Sequence, residues 1–339
     1  MQLTDRFPEI GPEELITALV PPPRFDAVRF STYVPDPGEP SQAAAVAACS
    51  AFAGRIPAQA PKRPLLRRLF GAAGEEPAGS LGLYLDGGFG VGKTHLLASL
   101  WHEAPGPKAY GTFVELTHLV GALGFAEAVR RLSGHRLLAI DEFELDDPGD
   151  TMLVTRLLRE LTGAGVRVAT TSNTLPGKLG EGRFAADDFL REISSLAQRF
   201  SVVRVDGPDY RHRGLPEAPP PVDDDILLSS AEANPGSTLD DFGALCAHLA
   251  RLHPSRYGRL VDGVSLVHLR DVRPAPDQNV ALRLVAFADR LYDRAVPVLT
   301  SGQPLSGLFT DEMLQGGYRK KYLRAVSRLT ALAREAVPA

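Results

Sequence analysis

Between Leu81 and Asp206 short apolar runs alternate with longer mixed segments. Leu81–Leu85, Thr112–Leu116, Leu137–Ile140, Val166–Thr170 and Val202–Val205 read as buried strands, and the stretches between them are long enough for helices. Alternation of this kind predicts an α/β fold, a parallel sheet with helices on both faces. Beyond Leu239 the pattern is mixed. A helix is expected over Leu239–Arg251, strands over Val261–Val272 and Val296–Ser301, and helices where apolar residues recur at helical spacing. One such face is Leu284, Phe287, Ala288 and Leu291; another is Tyr322, Ala325, Val326 and Leu329. This part is expected to be a smaller C-terminal domain, α+β or helical and lid-like.

Prolines and glycines punctuate the rest. Pro21-Pro22-Pro23 and Tyr33-Val34-Pro35-Asp36-Pro37 are expected to be extended or turn-like, because each proline restricts itself and the residue before it. Ser41 is the expected N-cap of a helix running to Ala53, and Pro61–Gly79 reads as loop. Pro216, Pro219, Pro220, Pro221 and three aspartates make 215–237 a linker or surface loop. The expected division is thus 1–80 preamble, 81–214 core, 215–237 linker and 238–339 C-terminal domain.

Length and composition narrow the class. A chain of 339 residues suggests two domains, and 44% hydrophobic with 23% charged residues is ordinary for a globular protein. The net charge of −4 supplies no global attraction to nucleic acid or to an anionic membrane. Two cysteines, Cys49 and Cys246, make neither a disulfide framework nor a zinc spacing, which fits a reducing compartment. The longest apolar stretch, Ala43–Ala53, is too short for a membrane span, and the first residues lack a secretion pattern. The expected location is cytoplasmic.

One motif carries strong chemistry. Gly87-Gly88-Phe89-Gly90-Val91-Gly92-Lys93-Thr94 has the form G-x-x-x-x-G-K-[ST], the P-loop, placed after a strand and opening a helix that continues through His95. The glycines let backbone N–H groups curl around phosphates, and the helix N-terminus adds a partial positive charge. Lys93 can reach the β- and γ-phosphates of a nucleotide, and the Thr94 hydroxyl can bind Mg2+. The next buried strand ends in Asp141-Glu142. There Asp141 can hold Mg2+ through water, and Glu142 can act as general base on an attacking water. The bland alternative is an N-cap for the following helix. A third strand, Val166–Thr170, leads to Asn173, which can orient the water or contact the γ-phosphate; alone, it would be an ordinary turn former.

The order P-loop, Asp-Glu, strand-terminal Asn resembles an AAA+ ATPase. More narrowly, the chain resembles the ZapE family of cell-division ATPases and their mitochondrial relatives. The residues concerned are Leu83–Thr94, Asp141-Glu142-Phe143 and Ala169–Pro176, then Asp209-Tyr210-Arg211, Leu291-Tyr292-Asp293, Val296–Ser301, Pro304-Leu305 and Ser327-Arg328-Leu329. The resemblance implies ATP and Mg2+ as cofactors. Lys93 and Thr94 then serve as P-loop residues, Asp141 with Thr94 as metal ligands, Glu142 as the water-activating base and Asn173 as sensor. It further implies a homo-oligomer in which an arginine reaches the neighbouring subunit's γ-phosphate. The family's basic stretch before Phe-Leu is altered here to Gly182-Arg183-Phe184-Ala185-Ala186-Asp187-Asp188-Phe189-Leu190-Arg191, which makes Arg183 the first choice and Arg191 the second.

Other assignments are weaker in the sequence. Arg324 and Arg328 share a helix face and are either a cis nucleotide sensor or a solvated face beside Lys320 and Lys321. Gln42 and Phe30–Tyr33 are candidates for an adenine pocket. Tyr110 and Phe113 fit a strand edge and a core position better than a central pore. The reading that unites these features is ATP hydrolysis coupled to remodelling of a protein partner, with the division-ring polymer as the partner the resemblance suggests. The alternative is a nucleotide-gated, DNA-acting ATPase of the helicase-loader type, disfavoured by the charge and by the lack of a recognisable DNA-binding element. A protease is disfavoured by the lack of His-Glu-x-x-His or a recognisable nucleophile motif.

Overall fold

The computed structural model describes residues 1–58, 82–143, 148–175, 198–208 and 218–336. The chain forms two compact units, one of Gly11–Pro21 with Phe25–Tyr210 and a smaller one of Met1–Ile10, Pro22–Arg24 and Arg211–Ala339.

The first unit contains α1 (Pro12–Thr17), α2 (Pro40–Gly54), β1 (Gly82–Gly87), α3 (Lys93–Glu103), β2 (Lys108–Thr112), α4 (Phe113–Leu123), α5 (Phe125–Leu132), β3 (Leu137–Asp141), α6 (Pro148–Gly163), β4 (Arg167–Ser172) and β5 (Phe200–Val205). Its five strands are all parallel, in the order β2-β3-β4-β1-β5. Side chains alternate faces along a strand. On one face Leu83, Leu85, Leu137, Ala139, Ala169 and Val205 form a core with Ala45, Cys49 and Phe52 of α2 and Leu96, Leu97 and Leu100 of α3. The expected P-loop NTPase sheet with helices on both faces is what the chain forms. The order also places β4 between the P-loop strand β1 and the Asp141 strand β3, so whatever β4 carries at its C-terminal end lies between those two halves of the motif set.

Two local expectations are corrected. The run Thr112–Leu116 is not a strand. The strand is Lys108–Thr112, and Thr112 ends it by capping α4: its Oγ1 accepts from Glu115 N at 3.3 Å, and Glu115 Oε2 accepts from Thr112 N at 2.7 Å. This Thr-x-x-Glu box outweighs the β-preference of Thr-Phe-Val. Ser41 is not an N-cap either. Helix α2 starts at Pro40, which fits the first helical position because it lacks an N–H, and no side chain caps it. The Ser41 hydroxyl instead accepts from Asp206 N at 2.9 Å, just past β5.

The second unit contains α7 (Asp224–Ala233), β6 (Thr238–Asp241), α8 (Phe242–Arg251), α9 (Tyr257–Leu260), β7 (Val267–Val272), α10 (Gln278–Asp293), β8 (Val298–Gly302), α11 (Asp311–Gln315) and α12 (Arg319–Ala336). Of the two forms expected for this part, the one with a sheet is found. Its three strands run parallel in the order β6-β7-β8, joined by helices. The predicted face Leu284, Phe287, Ala288 and Leu291 is buried, as are Tyr322, Ala325 and Leu329. The stretch 215–237, read as linker, is corrected in part, since α7 lies within it. Leu227 of α7 is fully buried, Asp224 accepts from Ser301 Oγ, and Ser230 Oγ lies 3.0 Å from His268 Nε2, so the helix is tied to β7 and β8. The preamble is not one piece, since residues 1–10 belong to this unit. Asp240 accepts from Leu3 N at 3.0 Å and Thr4 N at 3.1 Å.

Arg324 and Arg328 do not form a solvated face. Both are buried in this unit, and both pair with Asp289 of α10, Arg324 through Nη2 to Oδ2 at 2.8 Å. Asp289→Ala leaves two buried guanidinium groups without that carboxylate. It is expected to destabilise the protein by about 3 kcal/mol, read as an earlier urea midpoint. An unchanged midpoint would show that the pair is not structural.

Candidate active site

The P-loop motif forms the turn between β1 and α3. Gly92 ends it with φ 89°, a left-handed conformation that favours glycine, and a Cβ there would run into the Tyr33 ring. That ring lies against the turn because the Tyr33 hydroxyl donates to Val91 O at 2.7 Å. His95, on the first turn of α3, packs edge-to-face with Tyr33 at 5.5 Å between centroids. Its Nε2 lies 3.0 Å from Thr32 Oγ1 and 3.1 Å from Arg29 O. Burial lowers the His95 pKa, which favours the neutral imidazole, and the Arg29 carbonyl opposes that only in part. Of the adenine-pocket candidates, Tyr33 meets the P-loop. Gln42 is engaged with backbone, donating to Asp206 O at 2.7 Å and accepting from Asp36 N at 2.8 Å.

Lys93 is buried, and its Nζ donates to Gly87 O at 2.8 Å, to Gly88 O and to Asn173 Oδ1 at 2.9 Å. The P-loop lysine and the expected sensor asparagine are therefore in direct contact, although they lie 80 positions apart in sequence. The position of β4 in the sheet makes this possible.

Asp141 ends β3 and is buried. Hydroxyls from three elements point at its carboxylate. Thr94 Oγ1 donates to Oδ1 at 3.3 Å, Tyr110 Oη to Oδ2 at 3.1 Å, and Thr171 Oγ1 to Oδ1. A buried carboxylate beside a threonine hydroxyl is an all-oxygen donor set, which suits Mg2+ better than softer metals. Tyr110 lies on the edge strand β2, as expected, and is buried and engaged with Asp141; Phe113 is core, edge-to-face with Phe143 at 5.8 Å.

Glu142 follows with φ 56°, a left-handed backbone that costs a non-glycine residue about 1–3 kcal/mol. The neighbouring strand holds it there. Glu142 N donates to Thr171 Oγ1 at 2.9 Å, and Phe143 N donates to Thr171 O at 2.7 Å. Helix α6 begins only at Pro148, so the Asp-Glu pair is not its N-cap. The turn separates the roles of two adjacent carboxylates: Asp141 is drawn into the hydroxyl cluster, while Glu142 remains half-buried at the strand ends. Such an arrangement can bind a metal–triphosphate and deprotonate a water beside it. Arg183 and Arg191, the arginine-finger candidates, lie outside the described residues.

Two roles escaped the sequence: Tyr110 and Thr171 look like ordinary strand residues, and nothing local shows that their hydroxyls reach Asp141. Both cysteines are free and buried, and burial pushes the Cys49 thiol up to about 12 and the Cys246 thiol up to about 11. A raised thiol pKa lowers the share of the nucleophilic thiolate.

The model of the AFG1-like ATPase family matches residues 13–231 and 226–338. The chain belongs to the AFG1-like ATPase family. It is similar to the cell division protein ZapE of Escherichia coli K12, with 27% identity over 298 residues, 75% of this chain and 78% of that protein. An uncharacterised protein of Schizosaccharomyces pombe is 29% identical over 151 residues, 38% of this chain and 33% of that one. Among solved structures, domain III of the replication initiation protein DnaA of Thermotoga maritima has a TM-score of 0.40 at 20% identity, covering 63% of this chain and 75% of that one. The DnaC helicase loader has a TM-score of 0.39 at 16% identity, covering 54% and 99%. Membership rests on the sequence match, which spans both units. This member of the AFG1-like family is an ATPase and carries its P-loop and Asp-Glu pair on the parallel sheet just described. Among its described residues no helix is long and apolar enough to cross a membrane.

Proposed function

We propose that this ATPase hydrolyses ATP with Mg2+ bound and uses the cycle to remodel a protein partner in cell division, acting in the cytoplasm as a homo-oligomer. The observation that carries the hydrolytic reading is the cluster at the C-terminal ends of β1, β4 and β3. Lys93 contacts Asn173, and Thr94 and Thr171 contact Asp141 at the foot of Glu142. The division role and the partner are carried over from the ZapE likeness.

In this reading the P-loop amides and Lys93 hold the triphosphate, with Lys93 exchanging its carbonyl contacts for phosphate oxygens. Thr94 and Asp141 would hold Mg2+, which when bound draws charge from the phosphate oxygens. Glu142 accepts a proton from water as the water oxygen attacks the γ-phosphorus. The bond between that phosphorus and the β–γ bridging oxygen breaks, ADP leaves with the electron pair, and the proton passes from Glu142 to solvent. Asn173 orients the water and reports the γ-phosphate to Lys93. Arg183 supplies the arginine finger to the neighbouring subunit, with Arg191 as the second choice.

The test is ATP hydrolysis across protein concentration, comparing wild type with Glu142→Gln and Arg183→Ala. The expected result is specific activity that rises with concentration and is lost in both variants. Mixing the two should restore turnover, because one variant supplies the finger and the other the base. Sedimentation on the same samples reports assembly. Full activity of Arg183→Ala in an assembled sample would remove that arginine from the site, and the same experiment on Arg191→Ala then tests the second choice.

A further inference from the structure

We infer that Thr171 is the positioning residue of this site, a single hydroxyl that sets both the metal-binding carboxylate and the general base. The inference rests on the ATPase reading above and deepens it. Thr171 lies on β4, the strand between the P-loop strand and the Asp141 strand. Its side chain is buried. A threonine hydroxyl has one proton to donate and lone pairs to accept with. Here the proton goes to Asp141 Oδ1, and a lone pair receives Glu142 N–H at 2.9 Å. The one side chain therefore faces two consecutive residues that have opposite needs. Asp141 needs a donor to fix its carboxylate rotamer beside Thr94. Glu142 needs an acceptor to hold its backbone at φ 56°.

The Thr171 carbonyl completes the clamp by accepting from Phe143 N at 2.7 Å, so the turn is tied on both sides of Glu142. Phe143 is buried and seated against Phe113, so the turn beyond Glu142 is anchored in the core. What can still go wrong is the orientation of Glu142 itself, and the Thr171 hydroxyl opposes that. Thr94 and Tyr110 also bond the carboxylate, and Thr171 bonds both the carboxylate and the Glu142 amide. Asn173, two residues further along the chain, bonds Lys93. One strand end thus touches the phosphate half of the site with Asn173 and the metal and base half with Thr171.

The experiment compares Thr171→Ser, which keeps the hydroxyl, with Thr171→Val, which keeps the shape, and Thr171→Ala, which keeps neither the γ-methyl nor the hydroxyl. Glu142→Gln is the control. Steady-state ATP hydrolysis is measured with binding of a fluorescent ADP analogue across MgCl2 concentration and in EDTA. Thr171→Val and Thr171→Ala are expected to lower kcat by about 30-fold, with KM for ATP changed by less than about 3-fold. Their Mg2+ half-saturation is expected to rise by about 10-fold, while ADP binding in EDTA stays at the wild-type value. Thr171→Ser is expected to remain within about 3-fold of wild type in every measurement. Thermal melts identify a variant that fails to fold, and either hydroxyl-free variant suffices for the comparison. Thr171→Ser matching Thr171→Ala, or hydroxyl-free variants with wild-type kcat and Mg2+ dependence, would overturn the inference. Full turnover in Glu142→Gln would overturn the underlying reading instead.

Discussion

Glu142→Gln is expected to lower kcat for ATP by about 10²–10⁴-fold while leaving ATP bound as tightly as in the wild type. The substitution replaces one carboxylate oxygen by an amide NH2 of the same size. It removes the proton acceptor and little else. The backbone contact that fixes the residue, Glu142 N to Thr171 Oγ1 at 2.9 Å, does not involve the side chain. In the proposed site the phosphates lie on other residues, Gly87 to Thr94. The pair proposed to hold the metal is not touched either, since Thr94 and Asp141 contact each other independently of Glu142. The expected signature is therefore a fall in kcat with little change in ATP affinity, measured by single-turnover hydrolysis and equilibrium binding on the same samples. A comparable loss of ATP binding would mean that Glu142 holds the nucleotide rather than activates the water.

The same site shows how far the sequence reaches. The P-loop, Asp141 and Asn173 are legible because each stands at a strand end, and strand ends can be located from short apolar runs. Their meeting is legible only in part. The contact between Lys93 and Asn173 depends on β4 lying between β1 and β3, and strand order in a sheet is not written in local periodicity. Thr171 and Tyr110 are invisible for a related reason. A threonine and a tyrosine in an apolar strand satisfy β-propensity, and nothing local shows that their hydroxyls converge on one carboxylate. The errors at element ends have local causes. Thr112 ends a strand because Glu115 completes a capping box, and Ser41 yields the helix start to Pro40. In the second unit the helical faces are legible from spacing, but the burial of Arg324 and Arg328 is not. Amphipathic reasoning places arginines outside, and it takes the opposing Asp289 on α10 to bring two of them in.

Lys93→Ala is expected to weaken ATP and ADP binding by about 10²–10⁴-fold and to abolish measurable hydrolysis at ordinary nucleotide concentrations. The magnitude follows from the hydrogen bonds that the ammonium can make. Each one to a charged group contributes about 1.5–3 kcal/mol, and removing two from the phosphates at once corresponds to about two to four decades of affinity. The substitution also acts on the protein without nucleotide. Lys93 is buried and donates to Gly87 O, Gly88 O and Asn173 Oδ1, so its removal leaves three acceptors at the strand ends without that donor. A stability loss of about 1–3 kcal/mol is expected from that source alone, and it must be separated from the loss of binding. Ligand linkage separates them. A nucleotide at about 100 times its Kd stabilises the folded protein by about 2.7 kcal/mol, which raises the midpoint of a thermal melt. In wild type and in Glu142→Gln this nucleotide-dependent rise should be present and similar. In Lys93→Ala the melt without nucleotide should begin lower, and the rise on adding ATP at the same concentration should nearly vanish. If Lys93→Ala retains the rise, the P-loop backbone holds the triphosphate without its lysine, and the contact with Asn173 is then the main role of that side chain.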